Sequence, residues 1–107
     1  MRVITASKPA PMLLDQLRQQ RTAIRQACQL HGGRRIRVFG SVAWREERAD
    51  SDVDFLVDLP RGYDLFGQRI PLQRQLAEIT GRPTGLIPEH ELSPLIRDRV
   101  LREAVEL

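Results

Sequence analysis

The sequence has few cysteines, no long apolar run and little net charge, and each shortage excludes a class of protein. Cys28 is the only cysteine, so neither an internal disulfide nor a cluster of thiolate metal ligands can form. No apolar run approaches the ~20 residues that span a bilayer, and the N-terminal segment lacks the apolar core of a signal peptide. We therefore expect a cytoplasmic protein that makes no membrane contact.

The charges are nearly balanced. Lysine and arginine total 17 and aspartate and glutamate total 14, which leaves a net charge of only +3. The basic residues are spread among the acidic ones, whereas proteins that bind nucleic acid usually concentrate them in one patch. Direct nucleic-acid binding is therefore not indicated. A chain of 107 residues, 41% of them hydrophobic, suits one small domain with a single core.

The spacing of apolar residues predicts helices that alternate with strands. Residues 1–10 are expected to be flexible and residues 11–107 to form the domain. The predicted helices cover the segment before His31, a short turn at 41–46, residues 65–81 and the segment after Ser93-Pro94. Pro71 removes a helix donor, so the third helix should kink or restart near residue 70.

Three strands are predicted, and they define the fold class. They lie in the segments RRIRVFG (34–40), SDVDFLVDL (51–59) and RPTGLIP (82–88), where β-branched residues are frequent and turn residues follow. Helices and strands that alternate in this way indicate an α/β (α+β) domain with a small sheet and flanking helices.

Asp52 and Asp54 interrupt the strongest predicted strand and fall on one face of it. Their Cα atoms should lie roughly 6.6 Å apart, which lets both carboxylates reach one divalent cation, whereas Asp58 lies ~13 Å beyond Asp54. Aspartate is a poor strand former, so a function explains the pair better than folding does. Mg²⁺ suits the pair, because it takes one or two carboxylates together with water and substrate phosphates.

Gly40 and Ser41 end the preceding strand and are the candidate phosphate site. Glycine lets the backbone approach a ligand closely, and amides at a helix start can hold phosphate. Each motif alone is weak, because a Gly-Ser pair is usually only a turn and most D-x-D pairs hold no catalytic metal. Together they indicate a site for a nucleoside triphosphate with Mg²⁺.

The pattern Gly-Ser, ten residues, then Asp-x-Asp resembles the signature of the DNA polymerase beta-like nucleotidyltransferase superfamily. The segments RVFGSVAWREERADSDVDFLVDL, YDLFGQRIPLQRQLAEITGRP and LIPEHELSPLIRDRVLREAV are similar to the minimal nucleotidyltransferases (MNT proteins) across nearly the whole chain. The resemblance implies a nucleotidyltransferase fold with a small mixed sheet. It also implies that Gly40 and Ser41 hold the triphosphate of ATP, and that Asp52 and Asp54 bind Mg²⁺.

The same resemblance implies a partner. Many minimal nucleotidyltransferases are antitoxins paired with a HEPN-domain RNase toxin, and characterised members transfer AMP from ATP to that toxin. The resemblance therefore implies a nucleotidyltransferase antitoxin of a HEPN/MNT pair.

Two positions depart from the family pattern. Trp44 stands where the family usually has an arginine, and a core or partner-facing role is favoured over stacking on adenine. Gly85 stands where the family carries a third aspartate, which helps hold the second metal that activates the attacking hydroxyl. Its loss should spare nucleotide binding more than catalysis. Glu89 and His90 lie beyond the third strand and are not expected to replace it.

Three functional hypotheses remain open from the sequence. The first is an adenylylating antitoxin. The second is a degenerate nucleotidyltransferase that neutralises its toxin by binding, which Gly85 favours. The third is a transferase acting on a small molecule or an RNA end, which is weaker because 107 residues leave little room for a substrate domain.

Overall fold

A computed structural model of the chain describes residues 13–40, 42–43 and 52–107, and these residues form a sheet with helices on both faces. The strands are β1 (Ile36–Phe39), β2 (Val53–Val57), β3 (Thr84–Pro88) and β4 (Val105–Glu106). The helices are α1 (Leu13–Gln19), α2 (Arg21–Leu30), α3 (Ile70–Thr80) and α4 (Arg97–Glu103). The predicted flexible segment at 1–10 lies outside the described residues.

The sheet is mixed, as the resemblance implies. Its strand order is β3-β2-β1-β4, with β2 and β3 parallel and the other pairs antiparallel. A parallel neighbour requires a crossover connection, and α3 supplies it between β2 and β3. No helix of the described residues is long and apolar enough to cross a membrane.

The main core lies between one face of the sheet and helices α1 to α3. Alternation along β2 sends Val53, Phe55 and Val57 into this core, where all three are fully buried. Apolar side chains from the three helices complete it: leucines from α1 and α3 and, from α2, Ile24, Ala27 and Cys28. The apolar sides of the helices therefore pack against the apolar side of the sheet on this face.

On the opposite face of the sheet, the described residues form a second, smaller core. Leu56 points to this face and is fully buried with Leu92 and Val100, because α4 and the loop before it pack there. Asp54 shares the face with Leu56 but is only half-buried, and Asp52 is exposed. The part of this face that α4 leaves open is thus the part that carries the aspartate pair.

The helices differ from the prediction in two places. The first predicted helix is divided at Gln20, whose side-chain amide donates to the carbonyl of Ile79 at 2.8 Å. The third predicted helix begins as a π-helical turn at Leu65–Arg69, and α3 follows with Pro71 in its first turn. Of the kink or restart predicted near residue 70, the structure shows the restart.

The C-terminal segment also differs from the prediction. Ser93 caps a turn rather than the regular helix: its hydroxyl accepts from the Leu95 amide at 3.3 Å, and α4 begins only at Arg97. Strand β4, which was not predicted, follows the helix and pairs with Arg37 and Val38. A two-residue strand is too short to produce a readable alternation.

Side chains of the crossover segment hold strand β3 in place. Gln73 donates to the Thr84 carbonyl at 2.6 Å, and Arg69 donates to the Leu86 carbonyl at 3.0 Å. These carbonyls lie on the outer edge of an edge strand, where they would otherwise be free to pair with another chain. The two bonds flank Gly85 and fix its position against β2.

Candidate functional site

The candidate site is centred on the carboxylate of Asp54, which lies between two neighbouring strands. Asp54 is the register partner of Phe39 in β1 and of Gly85 in β3. Asp52 precedes β2 by one residue and is exposed. The resemblance puts position 85 on the strand that follows in the chain, and the parallel register of β2 and β3 brings that position beside Asp54.

Two glycines enclose the Asp54 carboxylate. A Cβ atom on Gly40 would lie 2.8 Å from one carboxylate oxygen, and a Cβ atom on Gly85 would lie 2.8 Å from the other. Gly40 also has a φ of +76°, in the left-handed region that side chains disfavour. Gly40 was predicted as a phosphate contact. The structure gives it a second role, which is to make room for Asp54.

The electrostatics of the site disfavour a lone negative charge. Burial, and after it the charge of Asp52, raises the pKa of the Asp54 carboxyl above its ordinary value. Within the described residues no hydrogen-bond donor contacts this carboxylate. A carboxylate pair of this kind repels itself until a cation is present. The two acids and the cleared space around them therefore fit a divalent cation such as Mg²⁺.

Glu89 and His90 do not replace the missing third carboxylate. Glu89 pairs with Arg37 at 2.6 Å and with Arg97 at 3.7 Å, and the ring of His90 lies against that of Tyr63, with centroids 6.0 Å apart. Both follow β3 on a short 3-10 turn at Glu89–Glu91. Among the described residues, no three His, Cys, Asp or Glu side chains gather into a metal site.

Sequence reasoning missed Arg37 as the partner of Glu89. Arg37 is only 5% exposed, although it stands in a strand between the core residues Ile36 and Val38. The available signal was an arginine at the centre of a strand whose other face is covered. Arginine is almost never fully buried without a partner, so this position indicates an acidic partner nearby.

Three sequence-predicted features cannot be placed in the site. Ser41, Trp44 and most of the predicted turn at 41–46 lie outside the described residues.

Cys28 lies in the core, away from the site, where burial and the nearby charge of Asp58 raise the pKa of its thiol to about 11. Its thiol is therefore neutral at physiological pH and contributes no nucleophile or metal ligand.

The geometry and the fold agree with a known family. Residues 20–107 match the family described as nucleotidyltransferase domain, which is most of the chain. The protein therefore belongs to the nucleotidyltransferase domain family, as the spacing from Gly40 to Asp54 indicates.

Individual relatives lie within the same family. A protein of Methanocaldococcus jannaschii, named as a candidate protein adenylyltransferase, is 35% identical over 72% of this chain and 82% of its own. Protein adenylyltransferase MntA of Thermococcus cleftensis is 39% identical over 69% of this chain and 74% of its own. The resemblance to minimal nucleotidyltransferases is thereby confirmed.

Two solved structures share the fold. One, described as a candidate minimal nucleotidyltransferase, has a TM-score of 0.78 and 40% identity, and covers 92% of this chain and 100% of its own. The other is a toxin–antitoxin structure with AMP-PNP. It has a TM-score of 0.67 and 20% identity, covering 79% of this chain and 69% of its own. At that identity it supports the fold alone.

Proposed function

We propose that this protein is a cytoplasmic antitoxin that transfers AMP from ATP to a HEPN-domain toxin. In this proposal Asp52 and Asp54 hold Mg²⁺, and Gly40 and Ser41 hold the triphosphate. The observation that carries it is the Asp54 carboxylate, which is enclosed by Gly40 and Gly85 and lies near enough to Asp52 for the charge of Asp52 to act on it. The names of the two curated relatives add support for adenylyl transfer as the reaction.

The proposed reaction joins a hydroxyl of the toxin to the α-phosphorus of ATP. The hydroxyl releases its proton to solvent and its oxygen bonds to the α-phosphorus, while the bond from that phosphorus to the oxygen bridging to the β-phosphate breaks and releases pyrophosphate. Bound Mg²⁺ would neutralise the negative charge that the triphosphate brings to this site. The chain's own contribution is positioning: Gly40 admits the phosphates close to the backbone, and the fixed strands keep Asp54 in place.

Labelled ATP tests the transfer directly. The protein is incubated with Mg²⁺, a HEPN-domain toxin encoded beside it, and ATP labelled at the α-phosphate. We expect the toxin to become labelled, whereas ATP labelled at the γ-phosphate should leave it unlabelled, because that phosphate departs in pyrophosphate. The absence of α-label under every divalent metal tried would contradict the proposal.

A second candidate function is neutralisation of the toxin by contact alone. It is favoured by Gly85, which leaves no carboxylate on β3 beside Asp54, and by Glu89, which two arginines already engage. Cells that express the toxin distinguish the two functions. If contact suffices, Asp52→Asn and Asp54→Asn variants still protect these cells; if transfer is required, protection is lost while the two proteins still associate.

Substitutions at position 85 should separate the effect of added bulk from the effect of an added carboxylate. Gly85→Ala places a Cβ atom 2.8 Å from Asp54, so the carboxylate must rotate, and we expect transfer to fall about tenfold. Gly85→Asp adds the same Cβ together with the family's third carboxylate. We expect it to exceed Gly85→Ala by about tenfold or more, measured as the initial rate of toxin labelling.

The alanine variant is the matched control for the aspartate variant, because both carry the Cβ atom that contacts Asp54. Equal rates for the two variants would mean that a carboxylate at position 85 does not assist transfer. A Gly85→Ala rate equal to that of the unmodified protein would mean that Asp54 tolerates the contact. Either result would remove the significance assigned to Gly85.

A further inference from the structure

A mostly apolar groove lies beside the candidate triphosphate site, between the end of β1 and helix α4. Its volume is about 210 Å³, and it is lined by Phe39, Gly40, Ile96, Arg99, Val100 and Glu103. We call it the α4 groove. Phe39 is the register partner of Asp54, so the groove opens on the same face of the sheet as the aspartate pair. Gly40 belongs both to the groove and to the candidate phosphate site.

Glu103, which lines the groove, carries one unsatisfied acceptor. One carboxylate oxygen of Glu103 accepts from the guanidinium of Arg99 at 3.3 Å, while the other is buried and has no hydrogen-bond partner within the described part of the chain. A buried acceptor without a donor carries a desolvation cost, and a ligand N–H group can remove it once the carboxylate turns toward the groove. A ligand that fills this groove should therefore offer a hydrogen-bond donor to Glu103.

We propose that the α4 groove binds the nucleobase of the triphosphate, and that Glu103 accepts a hydrogen bond from the amino group of adenine. This inference rests on the proposed function, because it assumes that the phosphates lie at Gly40. The groove is smaller than the ~300–1,000 Å³ typical of sites for whole drug-sized ligands, which suits a single heterocycle.

The lining has the composition that base recognition uses. Proteins that take up an unpaired base hold its faces between aromatic or apolar side chains and read its edge by hydrogen bonds. Phe39, Ile96 and Val100 supply the apolar surface, and Glu103 supplies the acceptor. Because Gly40 adjoins both regions, one nucleotide can extend from the aspartate pair into the groove.

A matched pair of tryptophan substitutions tests whether the groove is occupied. Ile96 lines the groove and is 48% exposed, while its neighbour Leu95 is 94% exposed and does not line it. We expect Ile96→Trp to weaken Mg²⁺-dependent ATP binding about tenfold, because the added ring fills the space of the base. Leu95→Trp should leave the affinity unchanged. Isothermal titration gives both constants, and circular dichroism checks folding.

Inorganic tripolyphosphate, which has no base, identifies the part of the ligand that is affected. We expect its affinity to be the same for the unmodified protein and for Ile96→Trp. If the unmodified protein binds neither ATP nor tripolyphosphate, the proposed function fails at its phosphate site. If it binds both and Ile96→Trp binds ATP normally, the groove assignment alone fails.

The amino group is tested with purine riboside triphosphate, which is ATP without the 6-amino group. We expect Glu103→Ala to weaken ATP binding about fivefold to tenfold and to leave binding of this analogue unchanged. An equal loss for both ligands would refute a hydrogen bond to the amino group. Unchanged ATP binding by Ile96→Trp, together with lost association with the toxin, would show that the groove binds protein and would overturn the proposal.

Discussion

Replacing Asp54 with asparagine should abolish most of the transfer activity and, at the same time, make the fold more stable. We expect the rate of toxin labelling to fall at least ~100-fold, because a ligand to the proposed Mg²⁺ is lost and a metal ion supplies several kcal/mol to such a reaction. We expect the free energy of unfolding to rise by about 1 kcal/mol, a size that is typical when a functional site is relieved of strain.

The loss of transfer and the gain in stability have one physical cause, which is the charge of Asp54. Asp54 is half-buried, and burial together with the charge of Asp52 raises its pKa, so the folded, metal-free protein is destabilised by its ionised form. Asparagine has the same shape without the charge, so it fits the space between Gly40 and Gly85. For a domain of this size, 1 kcal/mol corresponds to a rise of roughly 4–8 °C in the melting temperature.

Asp58→Asn is the matched control for Asp54→Asn. Asp58 lies on the same face beyond the other end of β2, and its charge helps to raise the pKa of Arg35, so neutralising it should bring neither a gain in stability nor a loss of transfer. A lower melting temperature for Asp54→Asn would contradict the electrostatic account. Transfer that survives in Asp54→Asn would place the metal elsewhere.

The sequence was sufficient for the fold class and for the placement of Asp54 on its strand, because both depend on local signals. Alternation along β2 places Asp54 on the face opposite Phe55 without knowledge of any other strand. The break before α3 follows from Pro71 alone. Family spacing adds Gly40 and position 85, and the parallel register of β2 and β3 bears out the latter.

The features that the sequence did not predict all depend on contacts between distant segments. Strand β4 is defined only by its pairing with β1, and the division of the first helix at Gln20 accompanies a bond to Ile79 in α3. The groove beside Gly40 exists because α4 packs across the end of β1. No local period encodes such contacts, so sequence patterns could not place them.

Removing the Glu89 side chain should cause a large loss of stability. Arg37 is 5% exposed and donates to the Glu89 carboxylate at 2.6 Å, and the guanidinium of Arg97 lies 3.7 Å from the same carboxylate. Glu89→Ala leaves the Arg37 guanidinium buried without its carboxylate. We expect the free energy of unfolding to fall by about 3 kcal/mol, measured by urea denaturation.

The exposed ion pair of Arg35 and Glu106 supplies the control. Its side chains are 53% and 52% exposed, so Glu106→Ala should cost less than ~1 kcal/mol. Arg37→Met combined with Glu89→Met should recover most of the stability lost in Glu89→Ala, because an apolar pair leaves no charge buried. Equal losses for Glu89→Ala and Glu106→Ala would show that Arg37 stays hydrated in the folded protein.

Glu89→Ala should also lower the rate of transfer, because Glu89 directly follows β3. Its bond to Arg37 ties the end of β3 to β1 across β2, and Gly85 lies three residues before the end of that strand. Loosening this tie lets β3 shift against Asp54, where a displacement of ~1 Å can cost about 100-fold in rate. The double methionine variant should then recover stability more fully than transfer, since packing without the ion pair holds β3 less specifically.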